Sequence, residues 1–112
     1  DFNVVFRLHS MKKWDDAGRS YKHCLALPFW AYIDAGGNVW ACSIYLTGSK
    51  FRLGNIYKDS FKDIWEAKKH NRLNRWAAGR LNTGKCRVNC RMDEVNRYLW
   101  DLTHPPAHVN FI

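Results

Sequence analysis

Four cysteines, Cys24, Cys42, Cys86 and Cys90, carry the clearest chemistry in this chain. Cys86 and Cys90 lie four apart among Lys85, Arg87 and Arg91, whereas Cys24 and Cys42 lie 18 apart around an apparent hairpin. An even count in a short chain permits two disulfides, in three pairings. Nothing at the start reads as a secretory signal, and in a reducing, cytoplasmic setting the same count points to a metal site. Residues at i and i+4 share one helical face, so Cys86 and Cys90 on a helix would aim both sulfurs at one metal. The flanking cations would lower their pKa and favour the ligating thiolate. A distant pair joined to a close pair serves zinc and iron–sulfur clusters alike. Inert core cysteines are the third reading, because a free cysteine also packs as a small hydrophobe.

The elements around these residues read as an α+β domain. Val4-Val5-Phe6 is a short apolar run that predicts an edge strand, and residues 1–20 are read as a strand and linker. Residues 21–112 form the remaining unit. Phe29, Ala31 and Ile33 alternate with Trp30 and Tyr32, the period of a strand. Asp34-Ala35-Gly36-Gly37-Asn38 supplies a turn, and Val39 to Leu46 predicts a returning strand with Cys42 on an apolar face. A third strand is expected over Phe51 to Ile56. Asp59 or Ser60 can cap a helix whose stripe runs Phe61, Ile64, Trp65, Leu73, Trp76 and Ala77 and stops near Gly79. A last helix is expected from Asp93 to Leu102, with Val95, Tyr98, Leu99 and Leu102 as its core face. His104-Pro105-Pro106 ends it, and Ala107 to Ile112 is read as an extended tail.

The chain has 112 residues, 18 Lys+Arg against 10 Asp+Glu, and a net charge of +8. Its 46% hydrophobic and 15% aromatic content excludes a disordered chain. No apolar stretch approaches the roughly 18 residues of a membrane span. Lys68, Lys69, Arg72, Arg75, Arg80, Lys85, Arg87 and Arg91 concentrate the positive charge, with His70 and Trp76 among them. Their alternation with the apolar stripe favours a solvated helix face, ahead of a surface for an acidic neighbour or a phosphorylated substrate. Nucleic acid ranks last, since no zinc-finger, RRM or KH signature accompanies the patch. His9, His23, His70, His104 and His108 are scattered and read as structural or surface residues. No Ser–His–acid grouping, phosphate loop or HExxH is present, so the chain holds no self-contained catalytic apparatus.

Taken together, the motifs resemble a family. Cys24, twelve residues, Gly37, four residues and Cys42 are similar to the opening of the SPASM and twitch domains, the auxiliary-cluster domains of radical S-adenosylmethionine enzymes. Ile33-Asp34-Ala35-Gly36-Gly37-Asn38-Val39-Trp40-Ala41-Cys42 looks like that family. So do Leu53-Gly54-Asn55-Ile56, Ser60-Phe61-Lys62-Asp63-Ile64-Trp65 and the closing Cys86-x3-Cys90. The family's fuller later motif would place cysteines at Ala77 and Arg80 and another after Cys90, and this chain has none of them.

The resemblance implies a small hairpin or half-barrel sheet followed by helices and one cysteine-ligated [4Fe–4S] cluster. Cys24, Cys42 and Cys90 are its first ligands, and Cys86 is inferred as the fourth because the second cluster it would serve cannot form. The CxxxCxxC of the catalytic core is absent, so S-adenosylmethionine would bind only in a missing core domain. The chain, which opens without Met, is read as a piece cut from a longer enzyme and inactive alone. A peptide or small-molecule substrate is the implied partner. The rival reading is a zinc-stabilised four-cysteine module that uses its basic face for nucleic acid or protein.

Overall fold

The computed structural model describes residues 1–16, 18–105 and 107. His108 and the rest of the expected extended tail lie outside the described residues, apart from Ala107, which is in a turn. The described elements are α1 (Leu8–Asp15), a 3-10 turn (Leu27–Phe29), β1 (Tyr32–Ile33), β2 (Asn38–Trp40) and β3 (Arg52–Asn55). They continue with α2 (Phe61–Glu66), α3 (Lys68–Arg80), a second 3-10 turn (Thr83–Lys85) and α4 (Asp93–Thr103). The class is α+β, built on a three-stranded antiparallel sheet in the order β1-β2-β3.

The hairpin between β1 and β2 is organised by one carboxylate. Asp34 accepts from the Asn38 backbone N–H at 2.9 Å, the Asn38 side chain at 3.0 Å and the Trp40 indole N–H at 2.8 Å. Gly37 takes φ of +75°, and a Cβ there would lie 2.6 Å from the Tyr57 ring. Asn55 links β3 to the turn, donating to the Gly36 carbonyl at 2.8 Å and the Asn38 side chain at 3.0 Å. Gly54 has a different reason for its size. A Cβ on it would meet Ile64 Cγ1 at 2.8 Å, so the bare glycine lets α2 lie directly on the sheet. Two stretches that look unrelated in the sequence, Leu53-Gly54-Asn55 and Phe61-to-Trp65, are thus one packing unit.

Leu27, Val39, Ala41, Phe51, Leu53, Ile64, Leu73, Ala77 and Leu81 form the core, with Cys24, Cys42, Tyr45 and Trp76 packed against it. Tyr45 stacks on Phe51 at 4.2 Å, and Trp76 meets Phe51 edge-on at 6.1 Å. Ser60 caps α2, accepting from the Asp63 backbone N–H at 3.1 Å.

Several expectations are corrected. Val4–Phe6 forms no strand, and a helix follows it. Pro28 early in a 3-10 turn replaces the start of the expected first strand. The second strand ends at Trp40 because register shifts between Val39 and Trp40. That irregularity turns adjacent residues inward, so Val39, Trp40 and Ala41 are all buried and the expected alternation fails. The single helix expected from residue 61 is two, broken where Ala67 is extended at ψ 145°. His70 stabilises the break from inside the core. Its Nδ1–H donates to the Trp65 carbonyl at 2.7 Å, while Nε2 accepts from Asn74 at 3.1 Å.

The α4 face is also different from expectation. Tyr98 and Leu102 are 65% and 60% exposed, whereas the polar Asp93 and Asn96 are buried. Each buried polar group there has several partners, which makes its desolvation tolerable.

Candidate metal centre

Three chain segments converge on the cysteines. Cys24 lies in the loop before the first 3-10 turn, held by its backbone N–H donating to the Ala77 carbonyl at 3.2 Å. Cys42 follows β2, after Ala41, whose N–H pairs with the Phe51 carbonyl at 2.9 Å. Cys86 and Cys90 occupy the irregular segment between α3 and α4 rather than the helical turn expected from their spacing. Cys24, Cys42 and Cys90 line a single pocket with the apolar Ala26, Leu27 and Ala41. Cys86 lines a separate one with Arg19, Tyr21 and His23. Its sulfur sits 4.0 Å from the Tyr45 hydroxyl.

The thiols are nonetheless electrostatically coupled: a negative charge on Cys90 opposes ionisation of Cys24, Cys42 and Cys86. Burial raises the thiol pKa of Cys24, Cys42 and Cys86. For Cys86 this reverses the expectation that neighbouring cations would lower its pKa. For Cys86 the favourable cation is the distant Arg19, and it is outweighed by desolvation. All four cysteines are half-buried and free of disulfides. Among the described residues, no three Cys, His, Asp or Glu side chains converge closely enough to hold a single metal ion.

Two polar residues that the sequence did not single out shape this centre. Arg19 donates to the Thr83 and Arg87 carbonyls and to the Cys86 carbonyl at 3.3 Å. One guanidinium therefore gathers the loop that carries Cys86. Asn96 is 2% exposed and faces Cys24. Its Oδ1 accepts from the Leu25 and Ala26 N–H groups at 2.7 and 3.0 Å. Its Nδ2 donates to the Met92 carbonyl at 3.0 Å and to Cys24 Sγ at 3.6 Å.

Of the remaining sequence candidates, Arg91 lines the pocket of Cys24, Cys42 and Cys90, and His23 that of Cys86. Ala77 is fully buried and Arg80 is exposed, at the positions where the resemblance would have placed two further cysteines. Lys68, Lys69, Arg72, Arg75, Arg80, Lys85, Arg87 and Arg91 are exposed, as a solvated face requires. His70 belongs to the core, and Trp76 is half-buried beneath Lys50, whose Nζ lies 2.9 Å from the ring centroid. His23 packs edge-on against Trp100, and His9 meets Glu94 at 3.3 Å. Among the described residues, no helix is long and apolar enough to cross a membrane.

The donor set suits iron–sulfur chemistry: four soft thiols, three of them around an apolar pocket, with Cys24 and Cys42 packed against the core. The family model for the SPASM iron–sulfur cluster-binding domain matches residues 24–91, from the first cysteine to just past the last. No curated protein and no solved structure matches the chain. A match over that span, more than half of the molecule, makes the chain a member of the SPASM family of iron–sulfur cluster-binding domains.

Proposed function

We propose that this chain is the auxiliary-cluster domain of a radical S-adenosylmethionine enzyme, holding one [4Fe–4S] cluster on Cys24, Cys42, Cys90 and Cys86. The observation that carries the reading is the convergence of Cys24, Cys42 and Cys90, from three separate segments, on one apolar pocket. Among the described residues, no three cysteine side chains meet closely enough to share one ion. Four thiolates on one tetrahedral zinc stand about 3.8 Å apart, whereas a cubane gives each thiolate its own iron and spreads them. When bound, the cluster supplies one-electron chemistry, or an iron site beside the substrate. The chain's residues hold the thiolates, surround three of them with apolar side chains and orient Cys24 through Asn96.

In the intact enzyme a core domain would carry the S-adenosylmethionine chemistry. A peptide or small-molecule substrate would meet the auxiliary centre at the domain junction. Single Cys→Ser variants of all four cysteines, reconstituted anaerobically with iron and sulfide, test the ligand set. Each should lose most of its bound iron and sulfide or convert to a three-iron species. A variant with full content and an unaltered spectrum would remove that cysteine from the set. Stoichiometric zinc without iron–sulfur assembly would favour a zinc-stabilised binding module.

A further inference from the structure

We propose that Asn96 is the positioning residue that sets the redox potential of the centre, by donating a side-chain N–H to the sulfur of Cys24. The inference rests on the cluster reading above and goes beyond it, because nothing in the cysteine pattern involves this residue.

The orientation of the Asn96 amide is determined by its surroundings. Two backbone N–H groups, from Leu25 and Ala26, point at one end of it, and that end must be the oxygen. The nitrogen then faces the Met92 carbonyl and Cys24 Sγ, which accept its two hydrogens. Every donor and acceptor of a side chain 2% exposed is therefore used. Reversing the amide would set its NH₂ against two N–H donors in a buried site, a costly arrangement. The bond to sulfur is thus imposed by the fold rather than one choice among several.

Its chemical consequence follows from charge. A hydrogen-bond donor on a ligating thiolate stabilises electron density on sulfur, and so stabilises the reduced cluster more than the oxidised one. Among the described residues, Asn96 is the side chain that donates a hydrogen bond to Cys24. Asn96 also fixes the backbone immediately after Cys24, so the sulfur and its donor move as one piece.

Two measurements test this on the reconstituted chain. The first is an EPR-monitored redox titration of wild type, Asn96→Leu and Asn96→Asp. The aspartate keeps acceptors for Leu25 and Ala26, and the leucine adds no charge. At the wild-type midpoint both variants should favour the oxidised state about tenfold, which for one electron is a fall of about 59 mV. The second uses wild type labelled with ¹⁵N in asparagine side-chain amides, which needs no variant to fold. A pulsed-EPR ¹⁵N coupling to the reduced cluster is expected, and it should vanish in Asn96→Asp. A fully loaded cluster with no such coupling, or with the same potential in the leucine variant, overturns the role of Asn96 and leaves the cluster reading standing. Failure of the wild type to assemble any cluster overturns both.

Discussion

The Tyr21 hydroxyl donates to the Asp93 carboxylate at 2.6 Å, joining residues 72 positions apart, both nearly inaccessible to solvent. Asp93 opens α4 and also receives Lys13 Nζ and Arg97 Nε, each at 3.0 Å. The loop leading to Cys24 and the helix carrying Asn96 are therefore tied at one carboxylate. Tyr21→Phe removes one donor and leaves the other two. It should cost about 1–2 kcal/mol in urea unfolding of the apo chain. Asp93→Ala leaves Lys13 and Arg97 without their shared partner and should cost more, about 3 kcal/mol.

The same carboxylate gives the fold an acid limit. Burial alone would raise the Asp93 pKa, but hydrogen bonds from Tyr21, Arg97 and Lys13 outweigh it and hold the value below the usual range. The Trp40 and Asn38 donors lower Asp34 to about 2. A depressed folded pKa contributes stability above the unfolded value, near 3.9, and that contribution is lost as pH falls through the folded value. Apo stability from urea titrations should hold above about pH 5, decline through pH 4 and fall further toward pH 2. Asp93→Asn should flatten the upper part of that decline.

At the alkaline end the sign reverses. Burial keeps Cys24, Cys42 and Cys86 protonated to higher pH than in the unfolded chain. Unfolded thiols ionise near 8.5, so the metal-free protein should lose stability as pH rises past about 8.5. Metal loading requires thiolates and must release protons. Loading should therefore become more favourable between about pH 7 and 9, with proton release measurable in a weakly buffered calorimetric titration.

Arg19 offers a test of the loop carrying Cys86. Its guanidinium spans the Thr83, Cys86 and Arg87 carbonyls, and a lysine cannot reproduce that fork. Arg19→Lys should leave the circular dichroism spectrum unchanged and speed iron loss to a chelator several-fold. Equal loss rates would show that Cys86 keeps its place without the clamp.

Local patterns announced some of this molecule and were silent about the rest. The turn at Asp34–Asn38 and the cap at Ser60 rest on interactions within a few residues, so sequence spacing exposes them. The bulge at Trp40 depends on pairing with β3, outside any short window around it, whereas the break at Ala67 is local, between Trp65 and His70, but carries no glycine or proline to announce it. The cysteines were legible as a set because four soft donors are rare in a short chain. Their supports, Arg19 and Asn96, bond to atoms 64 to 72 positions away. In sequence they look like an ordinary arginine and one asparagine of a helix. The α4 stripe misled in part: Val95 and Leu99 are half-buried, but Tyr98 and Leu102 are exposed, while hydrogen bonds bury the polar Asp93 and Asn96.

The central claim is that the four cysteines hold one cluster of four irons. Mössbauer spectroscopy of the chain after anaerobic reconstitution with ⁵⁷Fe and sulfide tests it most directly. The account predicts one [4Fe–4S] species, with about four irons and four sulfides per chain. A protein that binds one metal ion per chain, takes up no sulfide and gives no cluster spectrum would contradict it.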